Sequence, residues 1–439
     1  RSTAVAMAPA IVKKSLALYP WSTNIFDYSE LQPYFVPLSA RNRILQKIRP
    51  GLWLLLVMSL MAPQGGCRRA SPPRFAPAKE VLELTNEIED PEEFKTYQGL
   101  QAEIAAVLKS TAGTPEKPIS LGEKATSDSL QHGYALYARY CTQCHGVNGD
   151  GLGPAAQYLD PKPRNYTHGV FKFTSTPYGK KPRRADLVRT VRRGVTGTSM
   201  PSFDRFTDDE VQAVVDYVIA LSLRGEFERV LAGIAYEDGE LPDAAGLKDV
   251  VQEILTPWHD STNLIVMPVS SMPAMTDDSV QAGHQLFLQH ACNKCHGKFG
   301  RGGSMEKVEV GLDTWGNKAA AADLSSGMFR GGGRPIDIYR RIYSGINGTP
   351  MPAFEKLFAN DPDAIWQLVH FIKATGERRR EGKPPLSEAD LPTTVPAADA
   401  PATETPAAEE PATEEPAAEE PAAEEPETTP ETEPAAQAA

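Results

Sequence analysis

Apolar residues recur every three or four positions from Lys79 to Lys109, with Val81, Leu82, Leu84 and Ile88 on one face, which predicts helix there. The same period predicts helices near 225–235 and 245–256, and the apolar run LIVMPV at 264–269 reads as extended. Nearer the N-terminus the pattern changes. The largely apolar Gly51–Ala62 follows a basic run (Arg41, Arg43, Lys47, Arg49) and precedes small residues and Cys67. Spanning a bilayer takes about 20 apolar residues, so this stretch has the proportions of a secretory signal. Cys67 stands where a bacterial lipoprotein signal places the cysteine that becomes lipidated. Gly65 and Gly66 suit such a site, whereas Gln64 departs from the usual apolar residue. Residues 1–40 lie upstream of the signal, open on Arg1 rather than methionine, and are expected to fall outside the mature chain.

A second regularity is an internal repeat. Cys141 to Cys292 and Met200 to Met351 are both offset by 151 positions. ADLVRTVRRG (185–194) aligns with IDIYRRIYSG (336–345), and GVTGTSMPSF with GINGTPMPAF directly after. QHGYALYARYC aligns with QAGHQLFLQHAC after one extra residue, and VDYVIAL with VHFIKAT after a further slip. Constant spacing inside blocks, with slips between them, is the mark of two copies of one fold. The expected layout is an upstream segment 1–40, an export signal 41–67, a tether with helices 68–124, a first domain 125–223, a linker 224–275, a second domain 276–377 and a tail 378–439.

Charge changes this picture at the C-terminus. The net charge is −12, but fifteen acids fall from Glu388 onward with no base after Lys383, so the rest of the chain carries +3. Repeated PAAEE and PATEE pentads without aromatics cannot bury a core, and the tail is expected to be disordered. With 41% hydrophobic and 23% charged residues, the chain as a whole is neither membrane-like nor disordered. Residues 161–193 hold ten bases (Lys162, Arg164, Lys172, Lys180, Lys181, Arg183, Arg184, Arg189, Arg192, Arg193) against one acid, Asp186. Such a patch suits an acidic partner, or the chain's own tail.

The candidate chemistry lies in the repeat. CTQCH (141–145) and CNKCH (292–296) each set two thiols three positions apart with a histidine adjacent. That spacing lets Cys141 and Cys144, or Cys292 and Cys295, add to both vinyl groups of one haem, with His145 or His296 under the iron. A zinc site would need further ligands that no other cysteine supplies, and a thioredoxin-type redox pair would need a βαβ context. A haem held by histidine takes a sixth ligand, and thioether sulfur raises its reduction potential. Met200 and Met351 each follow their histidine by 55 residues, in glycine-containing turns stiffened by Pro201 and Pro352. The competing donors are His168 in the first copy and Met305, Met328 or His370 in the second, none repeated between the copies.

With these motifs each copy resembles a class I cytochrome c domain. The resemblance implies a mainly α fold: two tandem cytochrome c-like helical domains, each wrapped around a covalent haem. Gln131–Tyr140 and Val280–His290 match the family's first helix, and Gly133 and Gly283 match the close crossing of its two terminal helices. Tyr217 and Phe371 match the aromatic of the last helix. The family also holds the proximal histidine through a proline carbonyl, for which Pro154 is the match in the first copy. In the second copy Met305 occupies that position, leaving the partner of His296 open.

The resemblance implies two covalently attached haem c groups with His/Met axial ligands and no open iron position, hence an electron-transfer protein rather than an enzyme. It also implies haem attachment outside the bacterial cytoplasm. Expected partners are redox proteins, a membrane dehydrogenase or quinol-oxidising complex on one side and a terminal oxidase or other acceptor on the other. The membrane is reached through a lipid anchor or a complex, and nucleic acid is not expected. A dihaem cytochrome c peroxidase-type enzyme is the alternative, against which the matched methionines argue. A haem oxidoreductase subunit acting on small sulfur or nitrogen compounds is a further one.

Overall fold

The computed structural model describes residues 72–122, 125–302, 310–384 and 386–390. The expected export signal, Cys67, Met305 and the tail beyond 390 lie outside them. The described residues form α-helices and short 3₁₀ turns, with only isolated bridges such as Gly113 with Pro118 in place of strands. None of these helices is long and apolar enough to cross a membrane.

Two helices come first, α1 (Lys79–Glu87) and α2 (Pro91–Thr111). They divide the single helical stretch that the pattern of apolar residues suggests, because Asp90 stops one and starts the other. Its carboxylate accepts from the backbone N–H of Glu92 and Glu93, and Pro91 supplies the preset first turn.

The first repeat contributes α3 (Ser127–Tyr140), the single turn α4 (Thr142–His145), α5 (Arg184–Arg193) and α6 (Asp208–Asp238). After α7 (Ala244–Asp260), the second repeat contributes α8 (Asp277–Gln289), α9 (Asn293–His296), α10 (Pro335–Tyr343) and α11 (Ala364–Arg380). In each copy the first and last helices cross at a glycine. A Cβ on Gly133 would lie 2.1 Å from the carbonyl oxygen of Ala213, and one on Gly283 would lie 2.0 Å from that of Gln367. Nothing larger than hydrogen lets these backbones approach so closely. The aromatics that the resemblance implies pack beside the crossings, Tyr217 on Tyr137 and Phe371 on Phe287, both with ring centroids 5.1 Å apart.

Two expected boundaries, at 223 and 378, differ from the structure, as does the role of the tether and linker. Helix α6 runs 31 residues, through the expected domain end at 223. Gly225 does not break it; its missing Cβ, which would meet Thr167 Cβ at 2.4 Å, lets a loop pack on the helix. The second half of α6 then buries Phe227, Leu231 and Ala235 with Val81, Tyr97, Ile104, Leu108 and Trp258. The "tether" and "linker" helices are therefore a packed layer rather than spacers. Buried polar groups fix it further: Trp258 Nε1 donates to Glu226 at 2.9 Å, Arg224 pairs with Glu228 at 2.8 Å, and the Ala78 N–H donates to Glu228 at 3.2 Å. At the other end, residues 378–390 belong to the second domain rather than to a disordered tail. Leu386 is buried in its core, the Leu386 carbonyl accepts from Arg301, and Arg378 pairs with Asp390.

Candidate functional site

The first copy builds its site from α3 outward. The Cys141 N–H still donates to Tyr137 O at 2.8 Å, as if α3 continued. The chain then winds once more, with His145 N on Cys141 O at 2.9 Å and Gly146 N on Thr142 O at 2.9 Å, and stops at Gly146, whose φ of 75° suits glycine. Both thiols stay unpaired on this turn. Burial, with a smaller contribution from Cys144, pushes the Cys141 thiol up to about 12, so it is held as S–H.

His145 is oriented through its second nitrogen. Nδ1 lies 3.1 Å from the carbonyl oxygen of Arg164, which places the proton on Nδ1 and leaves a lone pair on Nε2. Burial lowers its pKa and favours the neutral ring, the form that ligates metal. Pro154 does not take the role that the resemblance implies. Its carbonyl accepts from Gln157 at 3.3 Å. The segment carrying Arg164 is brought under the ring instead by Tyr166 N donating to Gly149 O at 3.0 Å and by its close passage over Gly151.

The methionine turn is tied just as closely. Val195 N donates to Met200 O at 3.1 Å, Thr198 Oγ1 donates to Val195 O at 2.8 Å, and Met200 N donates to Thr198 Oγ1 at 3.2 Å. Gly194, at φ 64°, leaves no room for a Cβ, which would lie 2.5 Å from the Met200 and Pro201 carbonyls. Cys141, Cys144, His145 and Met200 all line one cleft, walled by apolar groups such as Leu187, Val191, Phe203, Phe206 and Val215. Its cations are Lys162, Arg164, Lys172 and Arg330. Two unpaired cysteines, a neutral anchored imidazole, a thioether and apolar walls make a donor set that fits a covalently attached haem c.

The second copy repeats the hydrogen bonds of the single turn, of the histidine and of the methionine loop. His296 N donates to Cys292 O at 2.9 Å, Gly297 N to Asn293 O at 2.8 Å, and Leu324 N to Gly300 O at 2.7 Å. His296 Nδ1 lies 3.1 Å from the carbonyl of Ala322, which supplies the partner the sequence leaves open. Ile346 N donates to Met351 O at 3.2 Å, Thr349 Oγ1 donates to Ile346 O at 2.8 Å, and Gly345 lies against Met351 and Pro352 as Gly194 does against Met200 and Pro201. The extra residue before the second motif is Ala291, which takes a left-handed φ of 57°. The cores differ in one polar pair. Tyr166 Oη donates to Tyr137 Oη at 2.9 Å, and Tyr137 Oη donates to Gly146 O at 2.9 Å. The second copy has Phe287 and Leu324 instead.

The competing donors have other engagements. His168 bonds Glu80 at 3.0 Å, His370 bonds Ser279 at 2.9 Å, and Met328 lies beside Gly197 in the turn of the first domain. Most of the basic run is likewise spent inside the molecule. Lys181 pairs with Glu226, Arg184 with Asp216, Arg189 with Asp186, Arg192 with Asp208 and Lys172 with Asp313, while Arg183 donates to Thr262 O. Arg164, Ala322, Trp315 and Arg330 are the site residues that sequence reasoning did not single out. The signal for the first two was the pair RNY and ADL, each placing a ring-facing carbonyl two residues before a side chain that packs on the loop glycines.

Residues 128–218 and 278–372 each match the family model described as "Cytochrome C oxidase, cbb3-type, subunit III". No curated protein gives a significant match to the chain. Among solved structures, a chain of the Kuenenia stuttgartiensis reducing HAO-like protein complex is 30% identical, with 56% of this chain and 96% of that chain covered and a TM-score of 0.44, too loose a superposition to place residues. The two family matches fall one on each repeat, and both helical units are cytochrome c-like.

Proposed function

We propose that the chain is a dihaem c-type cytochrome passing single electrons between respiratory partners. Cys141, Cys144, His145 and Met200 would hold one haem, and Cys292, Cys295, His296 and Met351 the other, each set supplying two thioether links, an imidazole and a methionine sulfur. The observation that carries this reading is the coincidence, in both copies, of a carbonyl-anchored histidine and a methionine turn held by the same hydrogen bonds. A bound haem iron supplies a one-electron couple, and the protein's part is to set its potential and shield it. The apolar walls exclude water, the carbonyls of Arg164 and Ala322 raise the basicity of the histidines, and the thioethers favour the reduced state.

Export through 41–67, lipidation at Cys67 and work at the outer face of a bacterial membrane complete the proposal. Their support is the basic–apolar–small–cysteine pattern, together with the haem motifs. A single acyl chain binds a membrane marginally, so a second acyl group or a partner complex has to add to the anchor. The partners are a membrane dehydrogenase or quinol-oxidising complex as donor and a terminal oxidase or other acceptor. Counting haem per chain tests the core of the reading. The full chain should carry two and the Cys292→Ala/Cys295→Ala double variant one, whereas equal haem content in the two would overturn it.

A further inference from the structure

The first cleft is not closed by its own domain alone. Three neighbouring residues of the second domain reach it. Arg330 lines the cleft itself. Met328 Sδ lies 3.9 Å from where a Cβ on Gly197 would stand, in the turn that presents Met200. Gly331 packs on Phe173, another lining residue, with a would-be Cβ 3.1 Å from Phe173 Cδ1.

The second domain also fixes two cations that belong to the first. The guanidinium of Arg164, the residue whose carbonyl holds His145, lies 3.7 Å from the ring centroid of Trp315. Lys172 sits 5.3 Å from the same ring and pairs with Asp313 at 3.0 Å. Trp315 is a rigid platform, because its six-membered ring presses on Gly348 of the second methionine turn and Thr314 N donates to Gly348 O at 3.1 Å. The loop carrying Lys172 is held from the same side, since Arg341 donates to the carbonyls of Lys172 and Thr174.

We infer that the second domain is a structural part of the first haem site, and that Arg330, together with the Trp315-held Arg164 and the Asp313-held Lys172, raises that site's reduction potential. The inference rests on the dihaem reading above. Arg164 and Arg330 beside one redox centre stabilise the form with the extra electron, Lys172 adds the part of its charge that Asp313 leaves uncompensated, and charges lining an apolar cleft are screened less than charges on open surface. The crowding is visible in the groups themselves. Burial, then repulsion by Arg164, lowers the pKa of Lys172, with Arg330 adding to the effect and Asp313 opposing it. Trp315 thus bridges Arg164, whose carbonyl holds His145, and Gly348 of the second methionine turn.

The test is a spectroelectrochemical titration of the full, haem-loaded chain. A Met351→His background lowers the second potential and so labels that couple. Adding Arg330→Gln, at an exposed position on the rim of the cleft, should shift the first potential downward and leave the labelled second couple in place. Trp315→Leu should also lower the first potential, with the far-red signature of methionine ligation at Met200 retained. Two titrating haems with an unmoved first potential in both variants would overturn the inference and leave the dihaem reading standing. A chain that holds fewer than two haems would overturn that reading, and the inference with it.

Discussion

Nδ1 of His145 lies 3.1 Å from the carbonyl oxygen of Arg164, and Nδ1 of His296 lies at the same distance from that of Ala322. The two acceptors share no side-chain chemistry. They share a place in the fold, two residues before Tyr166 and Leu324, whose N–H groups donate to Gly149 and Gly300. Ring orientation is therefore a property of the backbone path in both domains, so haem attachment should tolerate differences at these two positions.

The tyrosine pair of the first domain gives an ordered prediction. Tyr137 is buried, donating to Gly146 O and accepting from Tyr166. Tyr137→Phe leaves two buried partners unpaired and should cost about 1–3 kcal/mol. Tyr166→Phe leaves the Tyr137–Gly146 bond intact and should cost less. Denaturant unfolding of both variants checks the order; a costlier Tyr166→Phe would contradict it.

The helix crossings tolerate no side chain. Gly133→Ala and Gly283→Ala each push a methyl into a backbone carbonyl, and each should destabilise its domain by about 1–3 kcal/mol or more. Gly99, on α2, has open space around its Cβ position. There Gly99→Ala should stabilise by up to about 1 kcal/mol. Thermal unfolding of the three variants separates the two situations.

Ala291 stands at a φ of 57°, where an L side chain is strained. Ala291→Gly should raise the stability of the second domain by roughly 1 kcal/mol. A lower melting temperature in that variant would show that the left-handed residue is not the site of strain.

Acid should loosen the join between α1 and the first domain. The hydrogen bond to His168 is the largest cause holding the Glu80 carboxyl down at about 2, against its ordinary 4.5. Because the folded pKa lies below the unfolded one, this contribution is complete above pH 4.5 and fades as pH falls from there towards 2. Glu80→Gln should thus be less stable than the parent at pH 6, and the gap should narrow at pH 3 and close as pH falls through about 2. The group is half-exposed, so the effect is modest. Urea titrations at both pH values read it directly.

The parts of the site that were legible in the sequence are those where chemistry dictates residue type. Only cysteine, histidine and methionine serve as thiol, imidazole and thioether, and their 151-residue offset showed the repeat. The carbonyls under the histidines were hidden because any residue can supply one, and the family pattern pointed to Pro154 instead. Gly225 sits inside α6 for packing, which no periodicity distinguishes from a helix end. The tether and linker proved to be packed layers because Glu226 and Glu228, charged in the sequence, are buried and paired in the fold. The contacts of Arg164 with Trp315 and of Lys172 with Asp313 join positions over 140 residues apart, beyond any local pattern.

The most direct test of the central claim is the optical spectrum of the oxidised and reduced full chain, with and without carbon monoxide. Two low-spin haems, a far-red sulfur-to-iron charge-transfer band that halves in either Met200→Ala or Met351→Ala and is lost in the double variant, and no carbon monoxide uptake by the parent chain are the expected result. A parent chain that lacks the band at one haem and binds carbon monoxide there would contradict His/Met ligation at that site, and with it the reading of the protein as an electron carrier with two closed irons.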